Sequence, residues 1–118
     1  YSNKSNCCRV SVIYLEVIKM QLLTKEIERK IKPIGTFENT APQNIPITVK
    51  FFTPDSGWTW YVTEGEKRDN DDWLFFGLVD GTEKELGYFL LSDLTDVRGS
   101  LGLPIERDRG FNAMLSEV

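Results

Sequence analysis

The sequence predicts a single α+β domain in which a meander of about four antiparallel strands packs against an N-terminal helix and a short C-terminal helix. Three observations support this prediction. The chain of 118 residues with 41% hydrophobic content is long enough for one compact core. A capped helical pattern stands near residue 24, and alternating apolar segments joined by turn sequences follow from residue 47. No apolar run approaches the ~18 residues that cross a bilayer.

Residues 1–19, YSNKSNCCRVSVIYLEVIK, differ from the rest of the chain. They begin without methionine and hold both cysteines. A signal peptide is one interpretation, but Glu16 interrupts the apolar run and no small-residue cleavage site follows it. An ordinary edge strand is another interpretation of the same run.

A third interpretation uses the genetic code, because the tripeptide LEV at 15–17 can be encoded by a frame that contains a bacterial ribosome-binding sequence just before Met20. We therefore expect translation to start at Met20. In this hypothesis residues 1–19 are a non-native, upstream-translated leader that is disordered or adds a strand or helix. Residues 20–118 are then the single α+β domain.

The charge of the chain is acidic, with a formal net charge of -4 at pH 7. Without residues 1–19, 11 basic residues face 17 acidic ones and the net charge is -6. Such a surface repels phosphates, so nucleic acid and anionic membranes are disfavoured as partners and a basic protein is favoured. A start at Met20 also removes both cysteines, so nothing requires an oxidising compartment. We expect a cytoplasmic protein.

The first predicted element is a helix over KEIERKIK, residues 25–32. Thr24 is a suitable N-cap, and Pro33 and Gly35 end the pattern. Residues 36–46 are polar with two prolines and predict a connecting loop. The apolar residues that recur on one side of the helix are Leu23, Ile27, Ile31 and Ile34.

The remaining chain predicts strands joined by turns. Alternating residues 47–51 and 58–63 flank the turn sequence PDSG and indicate a hairpin. Residues 64–72 are charged and predict a loop, and WLFFGLV at 73–79 is apolar enough for a central strand covered on both faces. ELGYFLL at 85–91 predicts the next strand. Ser92 is the expected cap of a short helix over DLTDVR, and a short strand is possible around 103–107.

The hairpin carries the most prominent aromatic residues of the sequence. Alternation places Trp58 and Trp60 on one face, where a small domain needs apolar volume, so we expect them in the core. The alternative is a partly exposed aromatic shelf for a peptide or a stacked base. Tyr61 lies on the other face and is the better candidate for contact with a partner.

Five separated blocks follow one another along the chain: MQLLTKEIERKI, VKFFTPDSGWTWYVTEGE, DWLFFGLV, KELGYFLLSDLTDVRG and LGLPIERD. Together they resemble one known family, the domain of unknown function 2958 of bacteria, plasmids and phages. The resemblance covers the chain from Met20 to the C-terminus. It implies carriage by mobile elements or their host chromosomes, and it implies no established activity and no catalytic residues.

The residue types exclude several kinds of chemistry. The chain has 0 histidines, which excludes histidine-based triads and histidine-ligated zinc within it. The loop Asp69-Asn70-Asp71-Asp72 has acids but lacks the spacing and glycine of an EF-hand, so we interpret it as a solvated loop. Gly99 and Gly102 lack the lysine and the setting of a phosphate loop. We expect no metal and no cofactor.

The most suggestive cluster is near the C-terminus. An apolar segment there is surrounded by Arg98, Glu106, Arg107 and Asp108, and Asp93 and Asp96 lie just upstream. A paired acid and arginine can hold a carboxylate or phosphate, or serve acid and base catalysis. The alternative is an ion-pair clasp that fastens the tail to the sheet.

Three functional hypotheses follow from these residues. The leading one is a non-catalytic accessory protein of mobile elements that contacts an unknown protein partner through its acidic surface or through Tyr61. The second is an acidic mimic of nucleic acid, which requires carboxylates along one face. The third is an enzyme or ligand-binding site, which requires a concave pocket that joins Asp93, Arg98, Glu106 and Arg107. The carboxylates required by the mimic are Asp69, Asp71, Asp72, Glu83 and Glu85.

Overall fold

The fold is a five-stranded antiparallel sheet with two short helices, seen in a computed structural model that describes residues 22–109 and 111–118. The strands lie in the order β4-β3-β2-β1-β5. The predicted leader, residues 1–19, lies outside the described residues. The strands are β1 (Val49–Phe52), β2 (Thr59–Lys67), β3 (Trp73–Asp80), β4 (Lys84–Leu90) and β5 (Glu106–Arg107). The helices are α1 (Lys25–Lys30) and α2 (Leu91–Asp96), with 3-10 turns at Pro42–Asn44 and Leu115–Glu117.

The predicted meander is confirmed, since β1 to β4 pair in sequence order. The short strand expected near residue 105 is β5, which pairs with the free side of β1 and makes the sheet five-stranded. The helical part is smaller than the prediction of an α+β domain implies, because α1 and α2 have 6 residues each. The domain is mostly β structure. No helix among the described residues is long and apolar enough to cross a membrane.

Two strand predictions are corrected. Residues 64–72 were expected as a loop, but β2 continues to Lys67 because its backbone stays paired with β3 up to Trp73. The apolar segment 73–79 does lie inside the sheet, between β2 and β4, but β2 is the central strand. Leu74, Phe76 and Leu78 of β3 are only half-buried, so one face of this strand is incompletely covered.

One face of the sheet forms the core, and we call it the core face. Phe51, Val62 and Phe75 on this face are fully buried and come from three adjacent strands. Trp60 and Trp73 extend the same cluster. The residues that cover it from outside the sheet are Leu22, Leu23, Ile31, Leu91, Leu94 and Ile105.

Helix α1 begins as the sequence predicts. The Thr24 side chain accepts a hydrogen bond from the Ile27 N–H at 3.2 Å, which satisfies one of the unpaired donors at the helix start. Glu26 and Lys30 form an ion pair across one turn, with 3.5 Å between charged atoms. Helix α2 begins at Leu91, so the expected cap Ser92 lies inside its first turn. The Ser92 N–H donates to the Asp72 carboxylate instead.

The turn between β1 and β2 is tied to the loop that precedes β5. Asp55 Oδ2 accepts hydrogen bonds from the backbone N–H groups of Leu101, at 2.7 Å, and Leu103, at 3.2 Å. Asp55 Oδ1 is buried against Gly99, and no described residue donates to it. A side chain on residue 99 would overlap this carboxylate, so the glycine allows the two loops to meet.

Two glycines on neighbouring strands give a matched test of this packing. Gly77 of β3 lies directly opposite Gly87 of β4. A Cβ atom on Gly77 would overlap the backbone carbonyl of Tyr61, whereas a Cβ atom on Gly87 meets nothing within 4 Å. We expect Gly77→Ala to lower the free energy of unfolding by at least about 3 kcal/mol, since the strands must separate to admit the methyl group.

Gly87→Ala is the control, and it should be neutral or stabilising by up to about 1 kcal/mol, because alanine loses less backbone entropy on folding. Urea unfolding of both variants measures the difference. Equal stabilities of the two variants would contradict the close approach of β2 and β3.

Candidate functional site

The face of the sheet opposite the core is covered unevenly. Its β1 and β2 side lies beneath the loop that follows α1 and beneath the C-terminal tail. Its β3 and β4 side carries two large exposed residues, Leu86, 57% exposed, and Tyr88, 63% exposed. Phe76 lies beside Tyr88, with 5.0 Å between ring centroids. We call the whole face of the sheet opposite the core the cavity face.

Tyr61 of β2 lies on the covered side of this face. It lies on the side opposite Trp60, as alternation predicts, but it is 9% exposed. Phe111 of the tail packs on its ring at 5.8 Å between centroids, and Lys50 Nζ lies within 5.8 Å of the same ring. The expectation that Tyr61 is open to a partner is therefore corrected, because the C-terminal tail covers it.

A cavity of about 530 Å³ lies between the cavity face and the loop after α1. This volume is in the range of small-molecule sites, about 300–1,000 Å³. Leu86 and Tyr88 line its exposed border together with Glu38. Its walls are mainly apolar and comprise Ile34, Phe37, Pro42, Ile45, Phe76 and Leu115.

A β-bulge in β2 places a carboxylate in this cavity. Val62 pairs with Gly77, but the next pair is Glu64 with Phe76, so Thr63 is an extra residue on β2. Because side chains alternate along a strand, one extra residue moves the following side chains to the other face. Glu64 thereby leaves the side of Val62 and lines the cavity beside Phe76.

Two contacts hold this bulge. The Thr63 hydroxyl donates to the Phe76 carbonyl at 3.1 Å across the irregular pair. Beyond the bulge, the Gly65 N–H donates to the Lys32 carbonyl at 2.9 Å, which joins β2 to the end of the α1 segment. The bulge and the segment before the cavity loop are therefore fixed to each other.

Glu64 is 4% exposed, which is unusual for an acidic side chain. Its Oε2 accepts a hydrogen bond from the Gly35 N–H at 2.6 Å. Gly35 has a φ of 97°, a conformation that glycine adopts without strain, and this turn aims its N–H at the carboxylate. Among residues 22–109 and 111–118, Gly35 is the one hydrogen-bond donor to Glu64, and no lysine or arginine forms an ion pair with it. Glu64 Oε1 is not among the buried oxygens that lack a partner, so it keeps contact with solvent.

Trp58 and Trp60 have different environments although they stack, with 6.0 Å between ring centroids. Trp60 is buried in the core, as expected, whereas Trp58 is partly exposed and covers Gly81. Cavities of about 240 and 310 Å³ flank Trp58. The smaller one also has Glu83 and Glu85 in its wall. A binding role for this aromatic pair stays a prediction.

The C-terminal cluster is not gathered into one site. Arg98 lines the 310 Å³ cavity, but Asp93, Glu106 and Arg107 line none of the three cavities described here. The Arg98 guanidinium donates to the carbonyls of Thr95, at 2.9 Å, and Val97, at 2.8 Å, at the end of α2. These bonds satisfy carbonyls that a helix end leaves unpaired.

A clasp between the tail and the sheet is present, and it uses Asp108 of the predicted cluster together with Lys50. Asp108 pairs with Lys50 at 3.3 Å, and the Asp108 N–H donates to the Lys50 carbonyl at 2.9 Å. The pocket that the enzyme hypothesis requires is not among these three cavities, since Asp93 and Glu106 are exposed and do not line the cavity beside Arg98. A site role for Asp93, Arg98, Glu106 and Arg107 stays a prediction.

The acidic loop before β3 has a structural role that the sequence did not indicate. Asp72 is buried and accepts hydrogen bonds from Trp73 N, at 2.8 Å, and Ser92 N, at 3.0 Å, and its Oδ2 accepts one from the Ser92 hydroxyl at 2.6 Å. It thereby binds the start of α2, which explains why Ser92 is not the cap. In the described ranges, no group of three acidic, histidine or cysteine side chains could hold a metal ion.

The sequence does not indicate Glu64 as a site residue, because the charged segment 64–72 predicts a loop. One indicator was available, since Gly65 directly follows Glu64, and glycine inside a strand pattern often accompanies a bulge. The cavity itself depends on contacts between Leu115 and residues near 45, which are far apart in sequence. No local pattern reports such contacts.

The fold and the cavity define a small antiparallel β protein with a largely apolar pocket and one buried carboxylate. The chain belongs to the family described as "Protein of unknown function (DUF2958)", whose family model matches residues 17–117. This confirms the family that the sequence blocks resemble. A search of curated proteins and a search of solved structures gave no match.

The role of Asp72 gives a direct test. We expect Asp72→Ala to lower the free energy of unfolding by about 2–3 kcal/mol, because three donors, two of them backbone groups, lose a charged acceptor. The exposed Asp69 in the same loop is the matched control, and Asp69→Ala should change stability by less than about 0.5 kcal/mol. Chemical denaturation measures both. A small effect of Asp72→Ala would show that the start of α2 does not depend on this carboxylate.

Proposed function

We propose that the protein is a non-catalytic interaction module that binds a partner protein through the cavity face. The observation that carries this proposal is the cavity itself, which combines a buried carboxylate with exposed apolar residues at its border. In this proposal the protein serves as an accessory protein of bacteria or their mobile elements and works in the cytoplasm.

The exposed residues of this face support a binding role. Leu86 and Tyr88 are neighbours on one strand face, and both leave most of their surface in water next to a concave site. Burying apolar surface yields about 25 cal/mol per Å², and tyrosine is among the residues that most often dominate interface energetics. A partner that covers the border of the cavity would gain from both residues.

The acidic balance of the chain supports the same proposal. The formal net charge is -4, and Glu38 and Glu64 bring two carboxylates to the cavity. A partner surface with positive charge is therefore favoured over an acidic one, because complementary charge raises association rates and excludes unsuitable partners.

The two alternative functions have less support. A nucleic-acid mimic needs a continuous line of carboxylates, but Asp72 is buried, and Glu83 and Glu85 lie near the opposite end of β3 from the acidic loop, where Glu85 pairs with Val79. The length of β3, 8 residues, places these groups about 20–25 Å apart. An enzyme that uses Asp93, Arg98, Glu106 and Arg107 needs a concave site that joins them, and of these four residues only Arg98 lines one of the three cavities described above.

The proposal predicts that binding depends on Leu86 and not on apolar exposure in general. Leu101 is 80% exposed and lies on the loop near Asp55, outside the cavity, so it is a matched control. We expect Leu86→Asp to weaken partner binding by at least about 30-fold, the effect of losing about 2 kcal/mol at an interface centre. Leu101→Asp should leave binding unchanged.

The measurement is affinity capture from a bacterial lysate with quantitative mass spectrometry, followed by calorimetry on the purified partner. Thermal unfolding of both variants first establishes that they fold. A partner retained by Leu86→Asp, or lost equally with Leu101→Asp, would overturn the proposal. Capture of no specific protein by the unmodified chain would do the same.

A further inference from the structure

We infer that the cavity receives a lysine or arginine side chain of the partner protein, with Glu64 as the residue that pairs with its charge. This inference rests on the proposed function, because it assumes that a protein covers the cavity face. It goes further by naming the chemical group that enters the site.

The first argument is the state of the Glu64 carboxylate. Almost the whole residue is removed from solvent, yet its carboxylate has one hydrogen bond from Gly35 and no ion pair with a described residue. Burial of a carboxylate is costly unless it is paired and hydrogen-bonded. Oε1 of Glu64 is not buried without a partner, so it remains accessible, and a cation that enters the cavity can pair with it.

The second argument is the shape and composition of the walls. Lysine and arginine have long apolar stems beneath a charged end group, and such stems pack well along apolar surfaces. Phe76 and Tyr88 offer aromatic rings beside the path to Glu64, and a cation is also attracted to aromatic faces. A neutral apolar side chain would fill the same space but would leave Glu64 without a partner.

The third argument is charge selection at the entrance. Glu38 is exposed and lines the same cavity, so the entrance and the interior carry the same sign. An anionic or phosphorylated ligand would meet repulsion at both positions, whereas a cation is attracted throughout. Charge complementarity therefore selects the basic side chain as the occupant.

The test uses a blocked lysine, Nα-acetyl-lysine N-methylamide, as the probe with the full chain. Two-dimensional NMR should show saturable shifts of the Gly35, Thr63 and Tyr88 amide signals. Nε-acetylation of the same probe removes its charge and keeps its stem, and it should weaken binding at least tenfold. Equal binding of the charged and acetylated probes, or no binding of the charged probe, would overturn the inference without any variant.

Glu64→Gln provides the second arm, since glutamine keeps the size of the side chain and an oxygen that can accept from Gly35. We expect at least tenfold weaker binding of the blocked lysine. Glu66→Gln is the matched control, because Glu66 lies two residues further along β2, is exposed and is outside the cavity. Unchanged binding by Glu64→Gln would assign the charge recognition elsewhere and overturn the inference.

The two proposals fail in different ways. If the partner is lost with Leu86→Asp but binds Glu64→Gln normally, the interaction module stands and the basic side-chain pocket is wrong. If the blocked lysine binds in a manner that depends on Glu64 while no protein partner is captured, the pocket stands as a site for a free amine and both the partner assignment and the interaction module fail.

Discussion

The single extra residue in β2 determines how both faces of the sheet are used. Before Thr63, the strand delivers Trp60 and Val62 to the core, and after it the same strand delivers Glu64 to the cavity. Without the bulge, alternation would direct Glu64 to the core face, where a carboxylate would lie among apolar side chains. The bulge thus allows β2 to contribute side chains to the apolar core before Thr63 and a carboxylate to the cavity after it.

The same irregularity connects the helix segment to the cavity loop. Gly65 bonds to Lys32, and Glu64 bonds to Gly35, so two adjacent residues of β2 hold two nearby points of the segment that leaves α1. On the neighbouring strand β1, the ion pair of Lys50 with Asp108 holds the tail beside Tyr61. Glu64 and Gly35 both line the cavity, so a polar contact fixes part of a wall that is otherwise mainly apolar.

The elements that depend on residues close in sequence could be predicted, but the cavity and its buried carboxylate could not. Thr24, the four-residue apolar interval and the turn residues report local backbone preferences, and they located α1 and the strand meander. The burial of Tyr61 depends on Phe111, which is distant in sequence. The burial of Asp72 depends on Ser92, which lies just after the neighbouring strand β4. Glu64 depends on a shift in strand pairing, which residue types alone indicate only through the glycine beside it.

The cavity joins early and late parts of the chain, and this affects its formation during synthesis. Ile34 and Phe37 are made long before Leu115, and at about 5–20 residues per second the interval lasts several seconds. During that time Ile45 and Phe76 lack the part of the cavity wall that Leu115 contributes. Chains interrupted before Leu115 would present these residues permanently, so incomplete translation products of this protein are expected to associate or be degraded more readily than the finished chain.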